Sequence, residues 1–249
     1  MIIKEQVYIT PFDDERTIHI YLPDDLSEDE RLDVIYMFDG HNLFDDNEAT
    51  YGTSWGLQET FDQRGVRAMV VGIECNHIGN MRLYEFSPYD FFDADFGEIK
   101  GFGKDLFIWL IEELKPYIDE TYPTIPFREH TTIGGSSMGG LMALYGIIAH
   151  NMIFSKAIIV SPHIFYVLDD ILKDIDSHEL AYDSSLYISY GADELSSKSG
   201  LELYTSQILC LQRALDSRCH LKIHMFVGHD HSEASWREEV PYWLEDLGF

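Results

Sequence analysis

The chain has no apolar run near the ~18 residues that a membrane-spanning helix needs, so no membrane partner is expected. Cysteine is scarce. Cys75, Cys210 and Cys219 are odd in number and irregular in spacing, which fits neither a disulfide framework nor a zinc motif. They read as buried thiols in a reducing compartment. Positive charge is scarcer still, with 17 Lys and Arg against 44 Asp and Glu, a net charge of −27. Such a field repels phosphate backbones and anionic lipid, and it excludes nucleic acid as an expected partner. The acidic groups Asp24-Asp25, Asp45-Asp46-Asn47-Glu48 and Asp93-Ala94-Asp95 lack calcium-loop spacing and read as solvated surface. Met1 to Gln6 has no basic stretch followed by an apolar core, so no signal peptide is expected and the expected location is cytoplasmic. No repeat or Pro/Gly-rich linker divides the chain, and one domain over residues 1–249 is expected.

What is present is an alternation of short apolar runs with amphipathic stretches. Val7–Thr10 and Thr17–Leu22 alternate with period two and predict an antiparallel pair. Leu32–Phe38, Ala68–Ile73, His130–Gly134, Ala157–Val160, Leu186–Tyr190 and Leu221–Val227 read as strands covered on both faces. Between them, Phe107, Leu110, Ile111, Leu114 and Ile118 share one helical face. Further helices are predicted from Ser137 through Ile147, and at His163–Ile175, Gly200–Leu215 and Ser232–Leu247, with Pro241 breaking or restarting the last. The fold class is α/β: a mostly parallel central sheet with helices on both faces and antiparallel strands at the N-terminus. In such sheets the site lies at the carboxyl ends of the strands.

After the strand ending near Ile133 stands Gly134-Gly135-Ser136-Ser137-Met138-Gly139-Gly140. Gly-x-Ser-x-Gly centred on Ser137 is the spacing of a nucleophile elbow, where a strand turns sharply into a helix and flanking side chains would clash. Centring the frame on Ser136 would put Met138 where glycine is needed. A phosphate loop is the competing reading, but the Gly-Lys-Ser/Thr ending is missing. A serine nucleophile needs a base held by a third group, and this fold orders them Ser, acid, His. After the last strand, His229 and His231 compete for the base; a His-x-His pair is also a metal pattern, but no further ligand motif accompanies it. After the preceding strand, Asp193 and Glu194 compete for the acid, and adjacent carboxylates cannot both reach one imidazole.

These residues resemble the Putative esterase family of α/β-hydrolases, in particular its enterochelin-esterase and carbohydrate-esterase-like branch. The likeness runs in order through Arg16 to Pro23, Val34 to Phe44, Ser54-Trp55-Gly56, Val71-Gly72-Ile73, Arg82 and Glu85-Phe86-Ser87-Pro88. It continues through Gly134 to Gly140, Ser161-Pro162 and His231-Ser232-Glu233-Ala234-Ser235-Trp236. The resemblance implies an α/β-hydrolase fold with Ser137 as nucleophile, His231 as base and Glu194 as acid, Asp193 being the alternative. It also implies an oxyanion hole from the backbone N–H groups of His41 and Met138. Where the family pattern resembles Gln, this chain has His41, which keeps the backbone donor and changes the side chain.

The expected activity is carboxylic-ester hydrolysis through an acyl-enzyme, with no metal or organic cofactor, on a small-molecule ester with a short or aromatic acyl group on an alcohol or sugar. Trp55, Arg82, His163 and Trp236 are candidate substrate contacts; for Arg82 the plainer reading is a salt bridge, Glu85 being the nearest candidate in sequence. Residues 76–97 are the candidate covering loop. An acyltransferase or a siderophore-type ester hydrolase would use the same triad. A peptidase is disfavoured, having no extra selecting domain, and a non-catalytic binding module would not need a complete Ser, His and acid set. The sequence leaves oligomeric state, homo-oligomer included, open.

Overall fold

The computed structural model of the protein describes every residue except Ser196. The chain opens with β1 (Ile2–Ile9) and β2 (Asp14–Tyr21), antiparallel and in register from Ile2 opposite Tyr21 to Ile9 opposite Asp14. Both are longer than side-chain alternation predicts, because the backbone ladder at a sheet edge needs no apolar side chain to continue. After β3 (Asp33–Phe38), α1 (Leu57–Arg64) leads to β4 (Ala68–Ile73). Next come α2 (Met81–Glu85) and a separate hairpin of β5 (Phe91–Asp93) and β6 (Gly97–Ile99). The expected covering segment at 76–97 therefore holds the short helix α2 and most of this hairpin, joined by irregular chain.

The helix predicted by Phe107 and Ile118 is present as α3 (Gly103–Trp109) and α4 (Lys115–Thr121), joined through a π turn at Leu110–Leu114. Pro116 accounts for the widening: it has no N–H for the carbonyl of Glu112, and its ring crowds that carbonyl. Then follow β7 (Thr131–Ser136), α5 (Met138–Ala149), β8 (Lys156–Val160), α6 (Leu168–Ser177) and β9 (Ser185–Gly191). The chain closes with α7 (Lys198–Leu215), β10 (His220–Phe226) and α8 (Glu233–Leu247). Two helix predictions need correction. Helix α6 starts at Leu168 rather than His163, because the N–H of His163 is spent on the carbonyl of Ser137 and Tyr204 holds the carbonyl of Pro162. Helix α8 runs unbroken through Pro241. Its buried face of Trp236, Val240, Trp243, Leu244 and Leu247 outweighs one lost backbone bond.

The strands form one eight-stranded sheet in the order β1-β2-β4-β3-β7-β8-β9-β10. Only β1 and β2 run against their neighbours; β4, β3, β7, β8, β9 and β10 are parallel. Period-two alternation sends side chains to opposite faces. Val34, Tyr36 and Phe38 of β3 join the core under α3, α5, α6 and α7, whereas Ile35 and Met37 join that under α1 and α8. Full burial contributes about 1.5–3 kcal/mol for each large apolar side chain. Successive connections leave β3 toward β4 on one side and reach β7 on the other, so a crevice opens at the carboxyl ends of β3 and β7. No described helix is long and apolar enough to cross a membrane.

Candidate active site

Ser137 follows β7 directly and caps α5 with φ 56° and ψ −118°, a conformation that L side chains rarely adopt. Its N–H donates to the carbonyl of Val160, and its carbonyl accepts from the N–H of His163. A Cβ on Gly135 would stand 2.7 Å from the backbone of Gly139, and one on Gly139 would stand 2.9 Å from Phe38. Both positions exclude a side chain, as the elbow pattern requires. Strain at this serine is held by the surrounding backbone rather than by any cap from its own side chain.

Across the crevice, the loops after β9 and β10 meet. His231 Nδ1 faces Glu194 Oε2 at 3.2 Å. The Glu194 side chain is 3% exposed, and its other oxygen accepts from the Gly191 N–H and the Ser161 hydroxyl. Ser161 in turn accepts from the Trp236 indole N–H at 3.0 Å, and Trp236 stands edge-on to the His231 ring. Asp193 is exposed, and its backbone N–H is bonded to the carbonyl of His229. His229 faces away: its nitrogens meet Glu239 at 3.2 Å and Glu238 at 3.3 Å, and its ring stacks on Phe226. His229 and His231 thus bind different carboxylates and do not form a shared ligand pair.

The opposite wall comes from the ends of β3 and β4. Asp39, with φ 60°, receives two bonds of 2.7 Å from Arg82. Burial pushes the Asp39 carboxyl up and the guanidinium outweighs it, so the group lies below its ordinary value. Arg82 lies above its own, the pull of Asp39 exceeding the cost of burial. Glu85, the sequence-based candidate partner of Arg82, instead binds Arg16 and the Asn76 N–H. Asn42 donates to Glu233, whose buried carboxyl is raised by desolvation. Among the described residues, the N–H groups of His41 and Met138 are not spent on backbone carbonyls.

Ser137, His231, His41, Arg82 and Trp236 line one cavity of about 340 Å³. Among the described residues no hydrogen bond joins Ser137 Oγ to His231, whose side chain is 39% exposed. Trp55 lies behind Trp236 at 2% exposure and does not reach the cavity. His163 packs against Phe91, Phe165 and Tyr166; burial, helped by His231, pushes its pKa down to about 4. Asp39 and Ser161 are the members that sequence reasoning left without a role. Asp39-Gly40 and Ser161-Pro162 both follow a strand end, which is the signal that would have marked them.

A match to the family described as "Putative esterase" extends over residues 10–247. The chain belongs to this esterase family. The esterase is 24% identical to the uncharacterized protein YjcH of Bacillus subtilis (strain 168) over 193 residues, 77% of this chain and 72% of that one. The solved structure of the BES protein from Bacillus cereus superposes with a TM-score of 0.77 at 19% identity, covering 100% of this chain and 95% of that one. The siderophore hydrolase EstA of Aspergillus nidulans gives 0.76 at 17%, covering 97% and 93%. At these identities the structural likeness establishes the α/β-hydrolase fold, and the family match establishes an esterase.

Proposed function

We propose that the esterase hydrolyses carboxylic esters through Ser137, His231 and Glu194, with an acyl-enzyme intermediate. The observation that carries this reading is the buried Glu194 carboxylate facing His231 Nδ1 across the cavity from the strained Ser137. A carboxylate with only acceptor oxygens makes Nδ1 the donor, which leaves Nε2 bare to take the serine proton. Oγ attacks the ester carbonyl as Nε2 removes its proton; the same proton then goes to the departing alcohol. Water repeats the sequence and releases the acid. The N–H groups of His41 and Met138 stabilise the tetrahedral oxyanion, each donor of this kind contributing about 10²–10³ in rate. Ser137 and His231 draw into contact when substrate fills the cavity, as catalytic hydrogen bonds commonly tighten in the Michaelis complex.

Cavity size and lining favour a short or aromatic acyl group on an alcohol or sugar. Its lining is largely polar, with Asp39, Asn42, Thr50, Asn76 and Arg82 among the residues and the Trp236 indole as an apolar surface. A long chain gains about 0.8 kcal/mol per methylene only where apolar surface receives it. Siderophore-type esters are the second reading, favoured by the likeness in fold to EstA and by the cationic Arg82 in the wall. The test is kcat/KM over aryl esters of two to sixteen acyl carbons beside acetylated and feruloylated sugars. We expect Ser137→Ala to lose at least about 10⁴-fold and fluorophosphonate to label Ser137. Label on Ser136, or rates still rising beyond about ten carbons, would overturn the corresponding part.

A further inference from the structure

Beside the oxyanion wall, three side chains converge that ester hydrolysis does not use. His41, Cys75 and His77 each offer a ligand atom, and the three atoms lie within 4.8 Å of one another. His41 is 7% and Cys75 3% exposed, while the His77 side chain is 55% exposed. All three line the cavity that holds Ser137.

The surrounding hydrogen bonds fix which nitrogen of His41 carries its proton. Asn42 Oδ1 accepts from the backbone N–H of Thr50 at 2.9 Å, which sets the amide orientation, and also from the Thr50 hydroxyl at 3.1 Å. That hydroxyl has spent its one proton, so at 3.0 Å it can only accept from His41 Nε2. Nε2 therefore carries the hydrogen and Nδ1 the free lone pair. Nδ1 is buried and has no hydrogen-bond partner among the described residues. A buried acceptor left unpaired beside two further donor side chains is open to a ligand.

The donor set identifies the ligand. Two neutral imidazoles and a thiolate suit a borderline-soft divalent ion of the zinc class, whose fourth ligand would project into the cavity beside Ser137. Each ring has an outer partner: Thr50 stands behind His41, and Glu74 lies 3.7 Å from His77 Nε2. Tetrahedral zinc needs donor separations of roughly 3.3–3.7 Å, which the exposed His77 ring can supply by swinging inward. Binding replaces the Cys75 S–H bond by a sulfur–metal bond and releases the proton to solvent. The chain's net charge of −27 favours the arrival of a cation.

We propose that His41, Cys75 and His77 bind one zinc-class divalent ion, and that its occupancy closes the Ser137 cavity to ester. Closure rests on the hydrolase reading above; ion binding does not. The experiment titrates metal-free protein with Co²⁺ and Zn²⁺, following heat and the thiolate-to-cobalt charge-transfer absorption, with ester hydrolysis in parallel. The expected result is one ion per chain with a thiolate band. Cys75→Ser abolishes the band and keeps its fold by circular dichroism, whereas Cys210→Ser and Cys219→Ser retain the band. His77→Ala, at an exposed position, weakens binding by at least about 10-fold, and Glu74→Gln by about 10-fold. Zn²⁺ suppresses hydrolysis by the wild type and loses that effect in His77→Ala. No thiolate band, or a band surviving in Cys75→Ser, would overturn the site. Binding with full hydrolysis would overturn closure alone, and a metal-free protein inactive on every ester would fault the hydrolase reading while the titration still tests the ion.

Discussion

Ser137 and Asp39 both stand just past the carboxyl end of a parallel strand, and both have positive φ, 56° and 60°. They are held by different means. Ser137 is fixed by backbone: its N–H and carbonyl are both bonded, and glycines two before and two after leave room for nothing else. At Asp39 charge is added to backbone: its carbonyl accepts from the Asn42 N–H, and its carboxylate takes two bonds from Arg82, 43 residues away in sequence. A backbone-held residue answers to steric change nearby, whereas a charge-held residue answers to the loss of a distant partner. The wall carrying Ser137 is thereby rigid at the proposed nucleophile, and the wall carrying Asp39 depends on the α2 segment being in position.

The largest expected effect tests how the Ser137 side is completed. Glu194→Gln leaves the shape of the loop intact and removes the charge that orients His231, so kcat falls by about 10²–10⁴ while Asp193→Asn stays within about twofold. Steady-state kinetics of the two amides decide it; a fall in Asp193→Asn alone would move the acid to the neighbouring residue. A middle-sized effect tests the charge-held wall. Asp39→Asn strands a guanidinium that is 30% exposed. The loss is about 2 kcal/mol in urea unfolding, less than for a fully buried pair because water reaches the arginine. An unchanged midpoint would show that backbone holds this wall as well. A third effect, on the pH dependence of stability rather than on kcat, concerns Glu239, which is fully buried beneath the β9 loop with Ser189 and His229 as partners. Burial pushes its pKa up to about 7 from 4.5. The folded state therefore keeps a proton that the unfolded chain has lost, and stability falls as pH rises from about 4.5 to about 7, by up to about 3 kcal/mol. Glu239→Gln flattens that slope and leaves kcat unchanged; a slope that persists would assign it to other groups.

The inner parallel strands were legible because burial on both faces forces near-continuous apolar runs, as in Ala68–Ile73 and Ala157–Val160. Strand β10, at the sheet edge, has no buried residue and is not covered on both faces as its run predicts. Helix α1 left no comparable mark: its buried face is only Leu57 and Phe61. The expected break at Pro241 failed because a local rule met the packing of α8 on the sheet and α1. Trp236 was offered as a substrate contact, and its geometry adds a second role, since its indole N–H holds the Ser161 that holds Glu194.

The sequence by itself determined the elbow, because the requirement there is steric and acts within five residues, so Gly135, Ser137 and Gly139 record it in their spacing. It also determined which loops carry the proposed acid and base, since strand order confines each to one strand end. The family resemblance had already named Glu194 beside His231; only the tertiary structure decided the other pairings of carboxylates, Glu239 with His229 and Asp39 with Arg82. The physical reason is the range of the forces. Steric exclusion leaves a local pattern, whereas an ion pair or a cluster such as His41, Cys75 and His77 forms between segments that only the sheet brings together.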